Sequence, residues 1–105
     1  MQFVVTGRDA SDEGALARRM AAREAHIAVL DVLLNEGRAL YGVALLDSNQ
    51  KMVGSTIIFD VASRQELDDI LAAEPYVTGN VWETFDVQEC KVGPSFVGLV
   101  NPNNG

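Results

Sequence analysis

Phe3, Val4, Val5 and Thr6 form a short β-branched and aromatic run closed by Gly7, which predicts a strand over 3–7. The next residues change register. Ser11 is placed to cap a helix, and Asp12 and Glu13 put negative charge in a first turn, where the helix dipole favours it. From there Leu16, Met20, Ile27, Leu30 and Leu34 recur at helical spacing, interrupted by Arg23, until Gly37 offers a left-handed stop. The pattern predicts a helix near 12–36, a rod of roughly 35 Å. Two apolar runs follow, 39–46 and 52–60, separated by Asp47, Ser48, Asn49 and Gln50, and a polar connection of that length predicts a hairpin. Ser63 with Glu66 three residues on reads as a capping box for a second helix over 63–73, with Leu67, Ile70 and Leu71 on its buried side and Pro75 ending it. Within 81–92, Phe85 and Val87 alternate with Thr84, Asp86 and Gln88, as in a half-buried strand. Residues 1–96 thus read as one domain and 97–105 as a C-terminal arm and flexible tail, with 101–105 expected to be disordered.

The order is β-α-β-β-α-β, the α+β split-βαβ or ferredoxin-like plan, with four antiparallel strands carrying both helices on one face. A sheet with one wet face should alternate, yet both parities are apolar in 39–46 and 56–59. The open face therefore calls for a dry cover. A second copy packed sheet on sheet in a two-fold dimer supplies it most directly; a tail folded across the sheet is the alternative.

Composition narrows the partners. The chain has 105 residues, 48% of them hydrophobic, enough for one core and too few for two ordinary domains. With 15 acidic against 8 basic residues, a net charge of -7 and no basic patch, nucleic acid is not an expected partner. The N-terminus lacks a basic stretch followed by an apolar core, and no apolar run nears the ~20 residues of a membrane span, so a cytoplasmic protein with no membrane partner is expected. One cysteine, Cys90, allows no intrachain disulfide and reads as structural; with a lone His26 it cannot assemble the usual all-protein zinc site. No metal or cofactor is expected.

REAHIAVLDVLLNEGRALYGVALL (23–46), the pair Gly54-Ser55, and AAEPYVTGNVWETFDVQECKVG (72–93) together resemble the YCII-related family of the dimeric α/β-barrel superfamily, over residues 1 to about 96. The resemblance implies a ferredoxin-like fold that dimerises through its sheets. It also implies an enzyme, in which a histidine on the first helix and the Asp of an Asp-Pro-aromatic triplet are the catalytic pair. His26 matches the histidine, whereas the acid here is Glu74 of Glu74-Pro75-Tyr76, one methylene longer.

On the residues alone, the plainer reading of His26 is a structural or exposed histidine; the resemblance brings the chemical reading level with it. Arg19, Arg23, His26 and Leu30 lie at i, i+4, i+7 and i+11, so His26 stands where a stripe passes from charged to apolar. Glu74 precedes a proline, is steered out of the helical region, and so is free to reach another element. Arg23 is a candidate for holding an anionic substrate, while Arg19 is expected to pair with an acid on its own helix. Ser55, with no base beside it in sequence, suits a hydrogen-bonding role better than a nucleophilic one. Tyr41, Tyr76 and Trp82 are candidate pocket walls, although aromatics at strand starts are more often core. The expected function is a small cofactor-independent enzyme using His26 as general acid or base, oriented by Glu74, on a small polar or cyclic organic substrate, by isomerisation, elimination or hydrolysis. The alternative is a non-catalytic small-ligand-binding or accessory dimeric domain.

Overall fold

The computed structural model describes residues 1–100, and the tail expected at 101–105 lies outside them. Strand β1 (Gln2–Asp9) leads to helix α1 (Ala15–Asn35), β2 (Ala39–Leu46), β3 (Met52–Asp60), α2 (Arg64–Ala73), the one-turn helix α3 (Pro75–Thr78) and β4 (Trp82–Cys90). A 3₁₀ turn, Pro94–Phe96, then runs into a last short helix, Val97–Val100. The strands lie in the order β2-β3-β1-β4 and every pair is antiparallel, which is the ferredoxin-like plan. Strands 39–46 and 52–60 have the expected bounds, while β1 is longer at both ends.

The core lies between the sheet and the helices. Phe3, Val5, Ile57 and Phe59 project from β1 and β3 against Leu33, Leu67, Leu71 and Tyr76. Burying an aliphatic or aromatic side chain of this size contributes about 1.5–3 kcal/mol, so this layer supplies most of the drive to fold. Gly7 faces the same layer because Trp82 lies on it: a Cβ there would stand 2.2 Å from the indole. Gly54 answers to backbone, since its Cβ would come 2.6 Å from the Gly7 carbonyl oxygen.

Local signals explain the breaks. Gly37 adopts φ 75°, and the N–H groups of Arg38 and Gly37 donate to the carbonyls of Leu33 (2.8 Å) and Leu34 (3.1 Å), the Schellman closure of a helix end. In the hairpin the Asp47 carboxylate accepts the N–H groups of Asn49 (2.7 Å) and Lys51 (3.0 Å). At α2 only half of the expected box forms. Ser63 Oγ accepts the Glu66 N–H at 3.1 Å, but the Glu66 carboxylate reaches the N–H of Ala62 and the side chain of Arg38 instead of the N-cap.

Helix α1 departs from expectation twice. It begins at Ala15 behind Gly14, and Ser11 is not its cap. Residues 12–15 form a separate turn, because the Asp12 carboxylate accepts the Gly14 N–H and pairs with Arg18 at 2.6 Å, while the Asp12 carbonyl accepts the Ala15 N–H. The hydrogen bond from Arg18 holds the exposed Asp12 carboxyl down at about 2. The buried face is also displaced: it carries Ala15, Arg19, His26 and Leu33, whereas Leu16, Met20, Ile27 and Leu34 are 39–53% exposed. The helix is turned by one residue, about 100°, from the apolar stripe. Two polar side chains with buried partners occupy the inner face, and hydrophobic periodicity cannot see them.

The strand register places Val4, Tyr41, Val43 and Ile58 on the face away from the helices. Tyr41 and Val43 are 62% and 48% exposed, so apolar area remains open on this side of the single chain. The C-terminal turn covers only part of it, leaving a cavity of about 560 Å³ between Phe96 and the group Val4, Tyr41 and Ile58.

Candidate functional site

Pro75 sets the site in place. Glu74 has the extended backbone (φ -67°, ψ 124°) that a following proline favours, and it ends α2 while capping α3. As that cap it accepts the Tyr76 N–H at 3.1 Å through Oε1, and the same oxygen meets Nδ1 of His26. An ionised carboxylate has only lone pairs to offer, so against it Nδ1 is the donor, and Nε2 carries the free lone pair whenever the ring is neutral. Glu74 is fully buried and His26 is 7% exposed. The imidazole lies on the Tyr76 ring, and Trp82 meets both rings edge-on.

An ion pair adjoins this imidazole–carboxylate pair. Arg19, 2% exposed, donates from one terminal nitrogen to both Asp9 oxygens (3.0 and 3.1 Å). Its other terminal nitrogen donates to the Gly54 carbonyl (2.9 Å) and to Ser55 Oγ (2.7 Å). Its guanidinium carbon stands 4.7 Å from the centre of the Tyr76 ring. Arg19 and His26 are two helical turns apart, about 10 Å along α1, and the Tyr76 ring fills that interval. Burial pushes the Asp9 carboxyl above its usual range and Arg19 offsets this only in part; burial likewise raises the Tyr76 phenol. Arg19 Nε, Glu74 Oε2 and Trp82 Nε1 are buried with no hydrogen-bond partner among the described residues, and all three belong to this cluster.

Between α1 and the edge strand β2 lies a half-open cavity of about 400 Å³. Arg19, Arg23, His26, Asp31, Ser55 and Tyr76 line its polar side, and Ile27, Leu30, Ile57 and Met52 are among its apolar walls. Of the candidates named from sequence, His26, Arg23, Ser55, Tyr41 and Tyr76 reach this cavity, with Tyr41 at its rim. Glu74 does not; it stands behind His26. Trp82 is core, as the plainer reading had it, but core that packs on the site. Arg19 is the correction: it pairs with Asp9 on β1, not with an acid of its own helix, because that face of α1 turns inward. Asp9 went unrecognised in the sequence. The available signal was the seven-residue spacing of Arg19, His26 and Leu33, which marks an inner face.

Fold and site together define a ferredoxin-like α+β domain with an imidazole–carboxylate pair backing a half-open cavity. The chain belongs to the YCII-related domain family, whose model matches residues 1–91. It is 33% identical over 97 residues to Protein YciI of Escherichia coli O6:H1, covering 87% of this chain and 97% of that relative, and equally to Protein YciI of Shigella flexneri. Among solved structures it shares its fold with 5-chloro-2-hydroxyhydroquinone dehydrochlorinase from Burkholderia phenoliruptrix AC1100 in complex with 2,5-dihydroxybenzoquinone. That match has a TM-score of 0.78 at 23% identity and covers 90% of this chain and 98% of the other. Protein Atu4242 from Agrobacterium tumefaciens matches with a TM-score of 0.51 at 13% identity, over 90% of this chain and 95% of its own.

Proposed function

We propose that the protein is a small cofactor-independent enzyme that moves protons on a single-ring, hydroxylated substrate, with His26 as the base and acid and Glu74 as the residue that orients it. The observation that carries this reading is that Glu74 occupies Nδ1 of a histidine on the cavity wall, while Nε2 makes no hydrogen bond among the described residues. A neutral imidazole so held takes a proton at Nε2, and the buried carboxylate stabilises the imidazolium that results. Arg23 on the same wall draws an anionic oxygen, and the apolar side accepts a flat ring. The volume, about 400 Å³, lies at the small end of the ~300–1,000 Å³ typical of small-molecule sites.

Elimination is the reaction favoured, because the dehydrochlorinase of like fold is described with a dihydroxybenzoquinone. On a chlorinated hydroquinone the atoms balance around one base. Nε2 takes the proton of the hydroxyl beside the chlorinated carbon and returns it to that carbon, giving a ketone and an sp³ C–H. It then takes the proton of the opposite hydroxyl while chloride leaves with the C–Cl electron pair, and a quinone remains. The apolar open face of the sheet leads us to include a sheet-to-sheet homodimer in the proposal.

The test is chloride release from 5-chloro-2-hydroxyhydroquinone, with binding of 2,5-dihydroxybenzoquinone followed by its visible absorbance. Release by wild type, reduced about 100-fold or more in His26→Ala, is expected. Binding without release would establish the ligand-binding alternative in place of an enzyme; neither binding nor release would overturn the reading.

A further inference from the structure

Ser55 receives a hydrogen bond from a donor that cannot accept one. The Arg19 nitrogen that reaches Ser55 Oγ at 2.7 Å belongs to a guanidinium, which has N–H groups and no lone pair to offer. Ser55 Oγ is therefore the acceptor in that contact, and its own hydrogen points elsewhere. Ser55 is 3% exposed, no other polar group among the described residues takes that hydrogen, and Ser55 lines the same cavity as His26. Arg19 is itself immobilised. Asp9 takes one end of the guanidinium in two hydrogen bonds, the Gly54 carbonyl takes part of the other, and Tyr76 lies under its face. A buried ion pair is not in general a gain in stability over well-packed apolar residues, so the expense of this one is better accounted for by what it holds.

We propose that Ser55 donates its hydroxyl hydrogen to an oxyanion that develops on the substrate, and that Arg19, anchored by Asp9, is the positioning residue that keeps this hydroxyl turned into the cavity. The cavity then carries a proton acceptor, His26 Nε2, and a dedicated donor, Ser55 Oγ–H. The positive charge behind the serine strengthens that donor. A pair of this kind suits substrates in which loss of a proton places negative charge on an oxygen conjugated with the reacting carbon: hydroquinones, enols and enolisable cyclic ketones. The inference rests on the proton-transfer reading above and adds to it the class of substrate and the origin of its stabilisation.

Ser55→Ala tests the donor, Ser55→Thr restores it, and Ser55→Cys keeps the shape with a weaker donor should the alanine variant fold poorly. Arg19→Lys keeps the charge while losing the geometry that reaches Asp9 and Ser55 at once. Expected results are a fall in kcat of about 10²–10³-fold for Ser55→Ala with little change in KM, a smaller fall for Ser55→Cys, and Ser55→Thr within about tenfold of wild type. Arg19→Lys should lower kcat with the far-UV circular dichroism unchanged. Independently of turnover, the absorption maximum of bound 2,5-dihydroxybenzoquinone, which reports the hydrogen bond to its anionic oxygen, should shift from the wild-type position in Ser55→Ala and return in Ser55→Thr. A wild-type kcat and an unshifted spectrum in Ser55→Ala and Ser55→Cys, with His26→Ala inactive, would overturn this inference and leave the proton-transfer reading standing. Loss of that reading instead would show as His26→Ala matching wild type.

Discussion

His26 and Tyr76 lie face to face, 3.7 Å between ring centroids and 11° from parallel, while the Tyr76 backbone N–H binds the very carboxylate oxygen that holds His26. One residue thus sets the imidazole both from its face and, through Glu74, from its edge. The arrangement depends on α3, a helix of a single turn whose start is dictated by Pro75.

Replacing Tyr76 by Leu should therefore affect stability and chemistry together. Loss of the stack and of buried aromatic area is expected to cost about 2–4 kcal/mol in urea denaturation, and His26 loses its support. Tyr76→Phe keeps the ring and should stay within about 1 kcal/mol of wild type.

Glu74→Gln separates charge from geometry. The amide oxygen can still accept the N–H groups of Tyr76 and His26, and the amide nitrogen takes the place of the unpartnered Oε2. Stability within about 1 kcal/mol of wild type is expected, with the Nδ1–H tautomer retained in ¹⁵N NMR and turnover reduced roughly 10–100-fold. A switch to the Nε2–H tautomer would refute the donor assignment at Nδ1.

Acid titration should give opposite slopes at two aspartates. Asp9 has its folded pKa raised by burial, so its contribution to stability is present below the ordinary aspartate range and is lost as pH rises through the raised value. Asp12 has its folded pKa lowered to about 2 by Arg18, so its contribution is present above the ordinary range and is lost as pH falls toward that value. Denaturation of wild type, Asp9→Asn and Asp12→Asn between about pH 2.5 and 7 measures this. The stability of wild type relative to Asp9→Asn should decline with rising pH, and relative to Asp12→Asn it should grow.

Adjacent isoleucines on β3 distinguish core from interface. Ile57 is 2% exposed beneath the helices, whereas Ile58 pairs with Val4 and Tyr41 on the open face. Sedimentation is expected to show wild type as a dimer and Ile58→Asp as a folded monomer. Ile57→Asp should fail to fold, since an unpaired buried carboxylate costs several kcal/mol. A wild-type monomer at micromolar concentration would remove the dimer from the proposal.

The elements that could be read from the amino-acid order are those whose causes lie within a few residues. The turn at Asp47, the stop at Gly37 and the break at Pro75 follow from local hydrogen bonding and backbone sterics, and the apolar runs 39–46 and 52–60 become strands with those bounds. The pairing of His26 with Glu74 was also legible, because a proline frees the acid from its helix and a split-βαβ plan puts both helices on one face. What tertiary structure alone decided is the rotation of α1 and the fate of Arg19. Leu16, Met20, Ile27 and Leu34 make the stronger apolar stripe, yet the helix buries Arg19 and His26, because the end of β1, the body of β3 and the end of α2 offer Asp9, Ser55 and Glu74 at the spacing those side chains need. Which acid meets an arginine depends on sheet register and helix docking, which are set by contacts between residues far apart in the chain and leave no local periodic trace.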